Sequence, residues 1–119
     1  MPKEHPWSST RGFHVRVDAD GDAMVVECHG WLTSENAPLL RMEVKDLVPR
    51  HKRIVLDLRE VPLMDSAGLG AVVGLYVTAR TRGCRIELVN ANEAIRKLFS
   101  ITNVLSLFEH AGRHYGKTI

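Results

Sequence analysis

The chain has 119 residues, 45% apolar and 25% charged, with a formal net charge of +2. That is enough for one domain around a single core. The sixteen Lys and Arg residues are scattered, with no basic stripe interleaved with aromatics, which argues against a nucleic-acid partner.

No apolar run approaches the ~18 residues of a membrane span. The opening Met1-Pro2-Lys3-Glu4-His5-Pro6 lacks a signal-peptide core, so the expected setting is the cytoplasm. Two cysteines, Cys28 and Cys84, are too few for a disulfide scaffold. Both fall in strand-like segments and read as reduced structural thiols.

Residues 1–12 are polar, with Pro2, Pro6 and a Ser-Ser-Thr run, and are expected to be loosely ordered, with Trp7 the exception as a candidate to dock on the domain surface. The domain is expected over residues 13–109, followed by a frayed tail over 110–119. Phe13, Val15 and Val17 alternate with His14 and Arg16, the period of a half-exposed strand. Asp18-Ala19-Asp20-Gly21-Asp22 is dense in turn formers and should reverse the chain. Met24 to His29 then supplies a second strand, ending at Gly30, and the two form an antiparallel hairpin.

Trp31 to Asn36 leads into a first helix, with Asn36 as its cap and Pro38 near its first position. Ala37, Leu40, Val44, Leu47 and Val48 share its apolar face, Arg41, Glu43, Lys45 and Asp46 face solvent, and Pro49 stops it. Ile54-Val55-Leu56 and Leu58 make a buried strand. Val61, Leu63 and Met64 carry apolar side chains through a loop in which Pro62 marks the turn.

From Ser66 the period becomes helical. Leu69, Val72, Val73, Tyr76 and Ala79 form one face, broadened by Leu75, and Gly83 ends the helix. Ile86, Leu88 and Val89 give a fourth strand. Asn92 caps a third helix lined by Ile95, Leu98 and Phe99, and Val104 to Phe108 has room for a last short strand. The order β-β-α-β-α-β-α defines an α/β domain with a mixed sheet of four to five strands. Strands joined through helices run parallel with right-handed crossovers.

The junction at Asp65-Ser66-Ala67-Gly68-Leu69-Gly70 is the stretch with most to say about function. A helix N-terminus offers unpaired N–H groups and the positive end of its dipole, and Ser or Asp there is a natural cap. Gly68 and Gly70 each cost roughly 1 kcal/mol of helix propensity relative to Ala. Either close packing on the sheet or access by another molecule would justify them.

Catalysis is poorly supported. Ser66 lacks the G-x-S-x-G elbow and an assigned base. Asp57 and Asp65 have no acid–base spacing, and Gly68-Leu69-Gly70 is no phosphate-binding loop, lacking the Lys and the glycine spacing. His110 and His114 would share a face only on a helix that Gly112 weakens, so no metal site is assigned and no cofactor is expected.

Asp65 to Gly70, preceded by the strand Ile54 to Leu58, resembles the signature of the STAS domain. More narrowly, it resembles the bacterial anti-sigma factor antagonists, with the likeness running from about Val25 to about Phe108. The resemblance implies the STAS fold, with helices mainly on one face of the sheet.

It also implies a binding module rather than an enzyme. In that family the Ser of this motif is phosphorylated by a partner that is both anti-sigma factor and kinase. The unmodified antagonist binds that partner and frees sigma, and phosphorylation ends the binding. Ser66 is the matching residue, with Met64, Asp65, Ala67, Gly68, Trp31 and Thr33 as the expected partner surface.

Of Leu63 and Met64, one should plug the core and the other be free for a partner. Trp31 is either a core-edge residue or an exposed anchor. Family members commonly carry G-x-L-D after the second strand, where this chain has Gly30-Trp31-Leu32-Thr33, so a threonine replaces the acid. A phosphatase would complete the switch, and a monomer or a dimer is compatible with the sequence. The alternative reading is a non-catalytic scaffold or subunit, as in a stressosome or a lipid-transport complex, in which Ser66 only docks.

Overall fold

Two strands, β1 (Phe13–Asp20) and β2 (Ala23–Gly30), form an antiparallel hairpin whose register pairs Asp20 with Ala23. The structure, a computed structural model, describes residues 12–104. The reversal is tighter than the run of turn formers suggests. Asp18 to Asp20 stay in the ladder, and only Gly21 and Asp22 loop out, with Gly21 at φ +64°. Glycine adopts that left-handed conformation without steric cost, which favours it at the first position of a two-residue hairpin loop.

The chain continues through α1 (Ala37–Leu47), a 3₁₀ turn at Val48–Arg50, β3 (Arg53–Glu60), α2 (Ser66–Thr81), β4 (Arg85–Val89) and α3 (Glu93–Ile101). The sheet order is β1-β2-β3-β4, with β2, β3 and β4 mutually parallel. This is the predicted α/β architecture with four strands. The expected strand at Val104 to Phe108 falls almost wholly outside the described residues, as do Trp7 and the expected tail.

Alternation along the strands divides the burial. Val26 and Cys28 of β2, Ile54, Leu56 and Leu58 of β3, and Ile86 and Leu88 of β4 enter the main core with Leu40, Val44, Val72, Leu75, Ile95 and Phe99. All three helices therefore contribute to one cluster. A fully buried Leu, Ile or Phe side chain contributes roughly 1.5–3 kcal/mol each. The intervening positions Ala23, Val55 and Val89 make a small second cluster, with Val25 packed against it.

The buried stripe of α2 departs from the predicted one. Gly68, Leu69, Ala71, Val72, Leu75 and Ala79 are buried, whereas Val73 and Tyr76 are only partly so. At Gly68 the helix closes on the backbone of Leu32, a contact that apolar periodicity alone does not weigh. Helix ends behave largely as read. Gly83 takes φ +74° just past the cap residue Arg82, and Asn92 Oδ1 accepts from the amide of Ile95 at 2.8 Å. Asn36 stands at the cap position of α1, but its side chain makes no capping bond. It donates instead to the Trp31 carbonyl at 2.8 Å.

Cys84 lies one residue before β4 rather than in a strand, while Cys28 is within β2. Both are buried and unbridged. Burial, then the charge of Asp57, pushes the Cys28 thiol up to about 12, and burial raises Cys84 as well. Among the described residues no helix is long and apolar enough to cross a membrane.

Candidate functional site

Two loops meet at the carboxyl end of the parallel strands, where ligands of open α/β sheets characteristically bind. Leu32, after β2, bridges to Met64, before α2, as a single parallel pair. The Leu32 amide donates to the Leu63 carbonyl at 2.9 Å, and the Asp65 amide donates to the Leu32 carbonyl at 3.3 Å. That register brings Thr33 level with Asp65, next to Ser66.

Asp65 caps α2. Its Oδ1 accepts from the Gly68 amide at 3.0 Å, and its own carbonyl accepts from the Leu69 amide at 2.9 Å. Ser66 follows as the first helical residue and is exposed. Among the described residues no hydrogen bond holds its hydroxyl. Ala67 beside it is half-buried. The arrangement is a fixed helix end with one free, solvent-facing hydroxyl at its tip, next to the dipole's positive pole.

Two of the expected contact residues, Met64 and Gly68, are buried. Met64 is 8% exposed and belongs to the main core, whereas Leu63 is 42% exposed. The bridge to Leu32 turns Met64 inward and leaves Leu63 at the surface. Gly68 is buried, and a Cβ on it would collide with the Leu32 carbonyl oxygen. Its missing side chain lets the two loops close, so it serves packing rather than contact. A Cβ on Gly70, by contrast, would meet nothing within 4 Å. The capping role goes to Asp65, leaving Ser66 free of it.

Thr33 is half-buried, and its carbonyl accepts from the Asn36 and Ala37 amides at 3.0 and 2.8 Å, making it the turn into α1. Trp31 is half-buried, between the two readings left open for it. Gly30 sits at φ +108°, and a side chain there would strike the Gly12 carbonyl, so this glycine is required by the close approach of the β1 entry. Sequence reasoning missed Leu32. It is fully buried and holds both loops together; its place between two loop residues concealed it.

His14 and His29 face each other across the hairpin with ring centroids 4.7 Å apart, and His29 Nε2 lies 3.2 Å from Glu27 Oε1. Neither is bonded to Ser66. Among the described residues no three His, Cys, Asp or Glu side chains are grouped to hold a metal.

Known proteins share this fold. The family model for the STAS domain matches residues 14–117. The anti-sigma-B factor antagonist of Bacillus subtilis is 27% identical over 103 residues, 87% of this chain and 94% of that protein. The anti-sigma factor antagonist of Mycobacterium paratuberculosis superposes with a TM-score of 0.75 at 21% identity, covering 82% of this chain and 84% of that one. The Bacillus cell fate determinant SpoIIAA in its phosphorylated form superposes with a TM-score of 0.65 at 18% identity, covering 85% of this chain and 94% of that one. With its mixed sheet, its Asp-capped α2 and a family match spanning most of its length, the chain belongs to the STAS domain family, and its relatives include anti-sigma factor antagonists.

Proposed function

We propose that this protein is an anti-sigma factor antagonist that binds an anti-sigma factor with serine kinase activity and is switched off by phosphorylation of Ser66. The observation that carries the proposal is the exposed, unbonded hydroxyl of Ser66 on the first residue of a helix already capped by Asp65. A kinase can take that hydroxyl without dismantling any interaction of the fold.

Phosphate adds about −1.5 to −2 charges at neutral pH. A helix N-terminus tolerates or favours that charge, so the domain keeps its structure. The switch then acts on the partner, which meets new bulk and charge beside the carboxylate of Asp65. Leu63 supplies an apolar anchor at this surface, with Ala67, Thr33 and Trp31 around it. The role is binding without catalysis, in the cytoplasm, with a phosphatase to restore the unmodified form. Thr33, in place of the family's usual acid, suits a kinase of altered specificity.

The test is intact mass and peptide mapping after incubation with ATP and anti-sigma kinases encoded nearby, with binding measured in parallel. One phosphate on Ser66 should abolish binding, Ser66→Ala should bind without being modified, and Ser66→Asp should not bind. Phosphorylation elsewhere, or full binding by the phosphorylated protein, would refute the switch.

A further inference from the structure

At the other end of α2 from Ser66, a cavity of about 480 Å³ opens between the starts of β3 and β4 and the last turns of the helix. Lys52, Arg53, Arg80 and Arg85 line it with Tyr76, and among the described residues Asp22 is the one carboxylate in its wall. We infer that this cavity binds a small, multiply charged phosphate-bearing anion.

Among the described residues the charges do not cancel locally. Arg53 Nη1 pairs with Asp22 Oδ1 at 2.9 Å. Behind the wall, a single oxygen of Glu87 accepts from Arg53 Nε at 3.1 Å and Arg85 Nε at 3.0 Å. Among the described residues, four cations therefore face two carboxylates. Lys52 has no ion-pair partner among the described residues, and Arg80 donates to the neutral Tyr76 hydroxyl at 2.9 Å.

Dipole stabilisation at a helix C-terminus accounts for one cation, Arg80. It does not account for Lys52, Arg53 and Arg85, which arrive from the amino ends of two strands. The Arg53 side chain is 13% exposed and clamped between carboxylates. That fixes its geometry before a ligand arrives and lowers the ordering cost of binding. The volume lies within the range of small-ligand sites. The shared ligand chemistry is phosphate, carried either by free pyrophosphate or by a sugar phosphate.

The experiment is an amide NMR titration of the full chain with pyrophosphate and, separately, glucose 6-phosphate, at ionic strength held constant with chloride. Saturable shifts should appear at Lys52, Arg53, Arg80 and Arg85, leave Asp65 to Gly70 unmoved, and give a dissociation constant of ~1 mM or tighter for at least one probe. Binding by pyrophosphate alone would identify a free polyphosphate site, and binding by the sugar phosphate a phosphorylated metabolite site. The double variant Lys52→Gln, Arg80→Gln removes two surface charges and should weaken binding roughly tenfold or more, with its spectrum otherwise intact. Absent or non-saturating shifts for both probes, or unchanged affinity in the double variant, would overturn the inference. Ser66→Asp should bind the probes unchanged, so this result stands apart from the kinase switch.

Discussion

At its first turn α2 carries Ser66, Ala67, Gly68 and Gly70, with Asp65 as the charged group of the motif; at its last turns it meets Lys52, Arg53, Arg80 and Arg85. At the first end, backbone hydrogen bonds and close packing hold the structure and leave a small hydroxyl on the surface. At the second, ion pairs hold it, and the guanidinium of Arg53 is tied to two carboxylates. The two ends are thus held by different means, and the first by groups other than the Ser66 hydroxyl.

The largest effect should fall at the ion-paired end. Glu87 is 1% exposed, and it draws both Arg53 and Arg85 to one oxygen while the other oxygen, Oε1, has no hydrogen-bond partner among the described residues. Glu87→Gln leaves two guanidinium groups without their shared counter-charge and should cost about 3 kcal/mol in urea unfolding. Replacing both Arg53 and Glu87 by leucine should cost less than Glu87→Gln alone, because no buried charge is then stranded. A double variant less stable than the single one would show that the pair itself, rather than its imbalance, holds this end.

Two glycines at the other end give the next contrast. Gly68→Ala drives a methyl group into the Leu32 carbonyl, which belongs to backbone and cannot rotate away. It should cost about 2 kcal/mol despite the better helix propensity of alanine. Gly70→Ala enters open space and should stabilise the domain by up to about 1 kcal/mol. Equal effects at both positions would mean that the two loops are not closed on each other as described. Next in size is Asp65→Ala, which removes the bond to the Gly68 amide and should cost about 1 kcal/mol in thermal or urea unfolding.

Much of this was legible in the sequence because local signals agreed with the fold. Strand alternation, Gly83 after α2 and Asn92 before α3 all stand where the pattern placed them. What escaped the sequence depends on contacts between segments distant along the chain. Whether Leu63 or Met64 turns inward is decided by the bridge to Leu32, more than thirty positions away. Gly68 looks like an access glycine until the Leu32 carbonyl is placed against it. Asn36 has the right residue type for a cap and spends its amide on Trp31 instead. The basic cavity is assembled from β3, α2 and β4, whose cations are scattered in the sequence and gather only on folding.

The smallest expected effect on stability is also the most diagnostic for the proposed switch. Ser66→Asp adds a negative charge at the first position of α2, where no hydrogen bond to the serine hydroxyl is lost among the described residues. The helix dipole favours a carboxylate there by roughly 0.3–1 kcal/mol at low ionic strength, against the small propensity difference between Ser and Asp. The variant should therefore unfold at the same urea concentration as the parent or slightly above it, and the gain should fade as salt screens the dipole. Loss of partner binding in a variant of unchanged stability would place the switch at the interface. A marked destabilisation would place it in the fold, because the charge would then be acting on the packing of Gly68 and Leu32 rather than on a partner.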